Sequence, residues 1–236
     1  MNTAAVPKQD MHVHSTFSDG NNTIEENIEE AESLGLASLT CVDHVRADTE
    51  YLPDYVAAIQ RLRPTTEIEL ICGIEAKLLD TSGTLDLPPV PEGVDRIYAA
   101  DHQVPLEDGP HHPREVKLEI ESGDRDAAGV ISAIIESTTN AARRHRNMVI
   151  AHMFSLLPKL GLSESDVPAG SLDELARVTA ETRNMIEISE RWRCPTAATL
   201  RPFVDHGVTV LMSTDSHKRE HIGRYEFGAE VWRQLQ

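Results

Sequence analysis

The sequence predicts an α/β fold: one barrel-like domain over residues 1–236, built on parallel strands. Three observations carry that expectation. Short β-like runs alternate with helical patterns along nearly the whole chain. About seven such runs can be counted, and no repeat, low-complexity tract or linker divides them. Histidines and acids also fall at the C-terminal ends of those runs, the face on which parallel barrels gather their functional groups.

The elements follow in order. A first strand covers residues 11–14. Thr23 then opens a helix, and Glu26 three residues on completes a capping box. Ile24, Ile28, Ala31 and Leu34 give this helix an apolar face, and Gly35 ends it. Residues 37–42 form the second strand, and a helix over residues 51–63 stops at Pro64. Residues 67–73 make the third strand, and Arg96–Ala100 follows a Pro- and Gly-rich stretch as the fourth. The segment 104–123 reads as a loop or ragged insertion punctuated by Pro105, Gly109, Pro110 and Pro113. A long helix over 126–146 turns Val130, Ile134 and Ile135 inward. A strand at 148–151 comes next, then a helix from a Ser171/Glu174 capping box to about Thr182. Residues 185–188, a helix with Pro195 in its first turn and Gly207 at its end, and residues 209–212 complete the series.

Composition removes several function classes. A formal charge of -17 leaves no basic stripe for a nucleic-acid backbone. Cys41, Cys72 and Cys194 are scattered and form no CxxC pair, so reduced thiols are expected and neither a disulfide framework nor a thiolate zinc site. No apolar run is long enough to span a bilayer, and residues 1–9 lack the apolar core of a signal peptide. The expected location is cytoplasmic. Nothing in the sequence sets an oligomeric state.

Six of the eleven histidines, His12, His14, His44, His102, His152 and His217, stand at or just past predicted strand ends. Two histidines at i and i+2 on a strand face the same side, so His12 and His14 can reach one cation. Acids keep them company: Asp19 in Ser18-Asp19-Gly20, Glu75 in Gly73-Ile74-Glu75, and Asp215 in Asp215-Ser216-His217. Mixed imidazole and carboxylate donors suit Zn²⁺, Mn²⁺ or Fe²⁺ better than Ca²⁺ or Mg²⁺. Asp10, Asp43 and Asp101 each precede a histidine and by alternation point away from it, as supporting groups.

The ordered set DMHVHSTFSDG, VDH, GIE, ADH, AHM and STDSH resembles the PHP (polymerase and histidinol phosphatase) family, from Asp10 to about residue 223. The resemblance implies a distorted (β/α)7 barrel, TIM-barrel-like, carrying two to three divalent metal ions (Mn, Fe or Zn). It implies a first metal held by His12, His14, Glu75 and Asp215. Glu75 bridges to a second held also by His102 and His152, and Asp19, His44 and His217 hold a third. Asp19 stands where some members have histidine, and a hard carboxylate there favours Mn²⁺ or Fe over Zn²⁺. The resemblance also places phosphate-binding arginines near Arg191 and Arg193, with Lys77 and Lys218 as weaker candidates. His111 and His112 fit a solvated loop, His221 a position beside the last motif, and Glu187 and Glu190 the rim. Glu187 could instead orient a ligand histidine.

The function expected is hydrolysis of a small phosphomonoester, such as histidinol phosphate or a nucleotide phosphate. A metal-bridging hydroxide attacks phosphorus, and Asp215 or His217 passes a proton to the leaving group. Two rivals belong to other classes. An amidohydrolase-like C–N hydrolase also carries HxH on a first barrel strand, but no metal-bridging lysine fits the GIE position. A non-catalytic PHP accessory domain would have lost ligands, and every ligand position here is filled.

Overall fold

The computed structural model describes residues 5–236. Seven parallel strands form one sheet in the order β1-β2-β3-β4-β7-β8-β9. They are β1 (Gln9–Val13), β2 (Ser38–Val45), β3 (Glu69–Lys77), β4 (Arg96–Ala100), β7 (Val149–Ala151), β8 (Met185–Ser189) and β9 (Thr209–Ser213). The first strand meets the segment after the last. His14 N–H donates to Ser216 O at 2.8 Å, and Ser216 N–H to His12 O at 3.2 Å. The sheet is thereby nearly closed into a barrel: the alternation of elements predicted a parallel α/β barrel, and the family resemblance its TIM-barrel-like form.

Helices α1 (Ile24–Ser33), α2 (Leu52–Leu62), α4 (Ala127–Arg144), α5 (Ala169–Glu181), α6 (Ala197–Asp205) and α7 (Phe227–Leu235) are further elements of the chain. The main core lies between helices and strands. It is aliphatic, with Ile24, Leu39, Ile59, Ile134, Leu175 and Phe203 all nearly inaccessible. A second, smaller cluster of Val42, Ile71, Tyr98, Val149 and Leu211 comes from strands alone and fills the barrel interior. Continuing the same inward alternation along the strands reaches His44 two residues past Val42, Glu75 four past Ile71, and Asp215 four past Leu211. The apolar plug therefore forms the floor of whatever is built above it. Gly73 is needed in this plug: a Cβ there would stand 3.0 Å from the Tyr98 ring and 2.9 Å from Val42.

The Thr23/Glu26 capping box forms, with Glu26 N–H donating to Thr23 Oγ1 and Thr23 N–H to Glu26 Oε2 at 2.9 Å. Four details differ from the sequence reading. Strands β2 and β3 run on past residues 42 and 73, because Asp43, His44 and Glu75 stay in the parallel ladder, with His44 in register with Glu75. The segment 104–123 is ordered. β5 (Val104–Leu106) and β6 (Gly109–His111) pair as an antiparallel hairpin, and α3 (Pro113–Ser122) follows. Its prolines misled the reading: Pro113 sits in the first turn of α3, where a missing N–H costs nothing. Only Pro113 and Val116 of that helix are buried, so its apolar periodicity is faint.

The Ser171/Glu174 capping box does not form, since α5 starts at Ala169 and Ser171 already lies inside its first turn. Pro195 stands ahead of α6, before the N-cap Thr196. Among the described residues no helix is long and apolar enough to cross a membrane.

Asp10 locks the closure of the barrel. Fully buried, its carboxylate accepts from Thr214 N at 2.9 Å, Thr214 Oγ1 at 2.5 Å and Gly223 N at 2.9 Å. Removing this acceptor leaves buried donors unpaired, at roughly 1–3 kcal/mol each. Asp10→Ala is therefore expected to destabilise the chain by about 3 kcal/mol or more in urea unfolding. A loss below about 0.5 kcal/mol would remove Asp10 from this role.

Candidate metal centre

Strand ends bring nine predicted residues to one mouth of the barrel. Glu75, at the end of β3 and 1% exposed, is the hub. Five imidazole nitrogens surround its carboxylate: His44 Nδ1 at 2.8 Å, His152 Nε2 at 2.9 Å, His102 Nε2 at 3.3 Å, His12 Nε2 at 3.6 Å and His14 Nε2 at 3.7 Å. Asp215 Oδ1 lies 3.2 Å from His14 Nε2. Asp19 closes the outer side, 3.2 Å from His217 Nε2, 3.6 Å from His44 Nε2 and 3.7 Å from His14 Nδ1. Gly20 allows this loop to fold down, because a Cβ there would sit 2.6 Å from the His14 backbone.

These donors fall into three groups whose candidate ligand atoms lie within 4.8 Å of one another: His12, His14 and Asp215; His44, Glu75 and His102; His14, Asp19, His44 and His217. The partition differs from the one implied by the family resemblance. His44 borders two groups because β2 keeps it level with Glu75, and His14 offers one nitrogen to each side. His152 joins through Glu75.

The donor set passes a chemical test for divalent cations. His12 Nε2, both His14 ring nitrogens, Glu75 Oε2 and Asp215 Oδ1 are buried and make no well-aligned hydrogen bond, although each has an imidazole or carboxylate neighbour 2.8–3.7 Å away. Leaving so many polar atoms unpaired in one spot would cost several kcal/mol, and buried polar groups are otherwise satisfied in folded proteins. Cations coordinated by these atoms would remove the penalty. His152 (φ 26°) and Asp215 (φ 52°) also hold left-handed backbone conformations, the kind of local strain that concentrates at functional sites.

Supporting carboxylates orient the rings. His12 presents Nδ1–H to Glu187 at 3.0 Å, leaving Nε2 for the centre, and His152 presents Nδ1–H to Asp101 at 3.2 Å. Glu187 also accepts from the His152 backbone N–H at 2.8 Å, tying β7 to β8. Asp43 holds the loop before Asp19 through Ser15 Oγ at 2.6 Å and Ser18 N at 3.2 Å. Trp192 donates its indole N–H to Asp215 Oδ2 at 2.5 Å and packs against His152, ring centres 5.8 Å apart. Trp192 escaped the sequence reading. Its one signal was its place directly after the β8 end, between two noted arginines.

Electrostatics follow from these contacts. Burial opposes charge on His44 and His152, yet Asp19 and Glu75 lift His44 to about 10, and Asp101 and Glu75 lift His152 to about 10. Burial likewise opposes charge on His12, but Glu187 and Glu75 raise it well above the ordinary histidine range. His14 is lowered to about 4, by burial first and by its neighbour His12. Asp19 is held well below the usual carboxylate range by His217 and His44. Burial pushes the Glu75 and Asp215 carboxyls up, but the surrounding histidines outweigh it and keep both low.

The other candidates divide. Arg191 reaches the centre: its Nη1 lies 3.7 Å from Asp215 Oδ1, donates to Asp215 O at 3.3 Å and contacts His217 Nδ1. Arg193 is not brought there, and its guanidinium lies over the Phe227 ring at 5.2 Å. Lys77 pairs with Gln103 and Asp86. His111 pairs with Asp108 on the hairpin, and His112 caps α3. Lys218 and His221 line a cleft of about 440 Å³ that Asp215 and His217 also border. Glu187 is fully buried, not a rim acid.

Comparisons with known proteins agree with this architecture. The sequence profile of the PHP domain matches residues 10–191. No curated protein matches the chain in sequence. Among solved structures, a Listeria monocytogenes protein provisionally assigned as a histidinol phosphatase superposes with a TM-score of 0.65 at 14% identity, over 92% of this chain and 97% of that one. At that identity the likeness is one of fold. The N-isopropylammelide isopropylaminohydrolase of Burkholderia multivorans gives a TM-score of 0.42 at 15% identity, over 95% of this chain and 71% of that one.

Proposed function

The chain belongs to the PHP domain family, and we propose that it is a metal-dependent hydrolase of a small phosphate ester at this centre. One observation carries the reading: among the described residues, five imidazole nitrogens and no lysine surround the buried Glu75 carboxylate. Glu75, with His12, His14, Asp19, His44, His102, His152, Asp215 and His217, would hold a cluster of two or three divalent cations. Bound there, the cations supply Lewis acidity at the phosphoryl oxygens and activate water near neutral pH.

The chain's own groups do the rest. Arg191 takes a non-bridging phosphoryl oxygen, since its guanidinium borders both Asp215 and the open cleft. Glu187 and Asp101 fix the tautomers of His12 and His152. His217, 18% exposed at the mouth, joins Asp19 on the outer side of the centre through Nε2 and meets the Arg191 guanidinium through Nδ1, which ties the phosphate-binding arginine to the cluster. Trp192 aims the Asp215 carboxylate by holding Oδ2, so that Oδ1 faces His14.

The test is a panel of phosphorylated metabolites, histidinol phosphate and nucleotide monophosphates among them, assayed with Mn²⁺ added. Turnover of at least one monoester supports the reading. Silence across monoesters and diesters, with release of ammonia or amines from C–N substrates, would replace it with the C–N hydrolase. Trp192→Phe keeps the ring but drops its N–H. It is expected to weaken metal binding by about 10- to 100-fold, the scale of a lost supporting hydrogen bond, in a chelator competition titration. Unchanged affinity would leave Trp192 a packing residue.

A further inference from the structure

The cleft beside the metal centre has a chemistry that the centre alone does not require. At about 440 Å³ it has the size of a small-molecule site rather than of one phosphate group. Asp215 and His217 of the centre line it together with Lys218, His221 and Arg224. A chain of net charge -17 thus lines the approach to its centre with cationic groups, Arg191 included.

The acids nearby are committed elsewhere. Glu190 accepts from Phe227 N at 3.2 Å and Gly228 N at 2.8 Å, at the start of α7. Glu30 pairs with Arg224 at 2.9 Å and with Arg219 at 3.8 Å. Lys218 has no carboxylate within ion-pair distance among the described residues, and its exposed ammonium is free for a ligand.

We propose that this cleft holds a second oxyanion of the substrate, with Lys218 as its principal contact and His221 beside it. The substrate class is then a small compound bearing a phosphate ester and, a few bonds away, a second phosphate or a carboxylate. The inference rests on the phosphoesterase reading of the centre, and it adds the second anchor. A charge-assisted hydrogen bond from an ammonium to an oxyanion is worth about tenfold or more in affinity.

Three probes that cannot be hydrolysed test it by calorimetry on the metal-loaded protein: propylphosphonate, propane-1,3-bisphosphonate and 3-phosphonopropionate. The two bis-acidic probes should bind at least about tenfold tighter than propylphosphonate. Lys218→Ala should cut that advantage to about threefold or less, and Lys218→Arg should restore it. Whichever bis-acid binds tighter tells whether the second group is a phosphate or a carboxylate. Propylphosphonate binding as tightly as both bis-acids would overturn the subsite and leave the phosphoesterase reading standing. So would an advantage that survives Lys218→Ala. Failure of all three to bind would overturn both.

Discussion

Glu75→Gln is expected to lower turnover by at least about 100-fold, the scale for loss of one electrostatic stabiliser in a water-poor site. The fold should survive. Glutamine has the shape of glutamate, and Glu75 is surrounded by imidazoles that can still accept or donate to an amide. The charge is what disappears, together with one of two ligand oxygens. A carboxylate within 3.7 Å of five histidines is placed between all of them, so its loss would disturb every cation they hold. Steady-state kinetics beside a circular dichroism melt separates the outcomes. Near-normal turnover in a folded variant would dismiss Glu75 as the shared ligand.

The second large effect is on pH. With no cation bound, His12, His44 and His152 carry protons throughout the neutral range, because neighbouring carboxylates lift them above the ordinary histidine value. His14 is already neutral there. A cation needs the neutral imidazole, so binding must expel the raised protons. The sign follows: affinity rises with pH below about 10 and falls as pH falls. Each expelled proton contributes about tenfold per pH unit, so the three together give about 1,000-fold between pH 7 and pH 6. Competition against a chromophoric chelator at several pH values measures the slope. A flat profile would mean that the imidazoles do not ligate.

Much of this arrangement could be read from the chain. Short apolar runs located seven strands, and the spacing of His12, His14, His44, Glu75, His102, His152 and Asp215 against their ends located one mouth of a barrel. Alternation along a strand is a local property, so it survives in sequence. What stayed hidden depends on contacts across the fold. Glu187 lies 175 positions from His12 in sequence, and nothing local marks them as partners. Asp101 does turn away from its neighbour His102, yet it reaches His152 on the next strand of the sheet. The share of His44 between two groups needs the β2–β3 register, and the hairpin and α3 were masked by prolines: Pro105 and Pro110 stand opposite each other in the two short strands, and Pro113 sits in the first turn of the helix. Arg191 and Arg193 show the same limit. Two residues apart after one strand, they diverge to Asp215 and to Phe227.

The central claim is a cluster of divalent cations at the barrel mouth, and metal content tests it most directly. Elemental analysis of protein purified without added metal, and dialysed against metal-free buffer, should find two to three equivalents per chain, with Mn or Fe prominent because Asp19 supplies a hard ligand. Three equivalents of zinc alone would overturn the metal preference. Less than one equivalent of any divalent transition metal, with hydrolysis indifferent to chelator, would contradict the account itself.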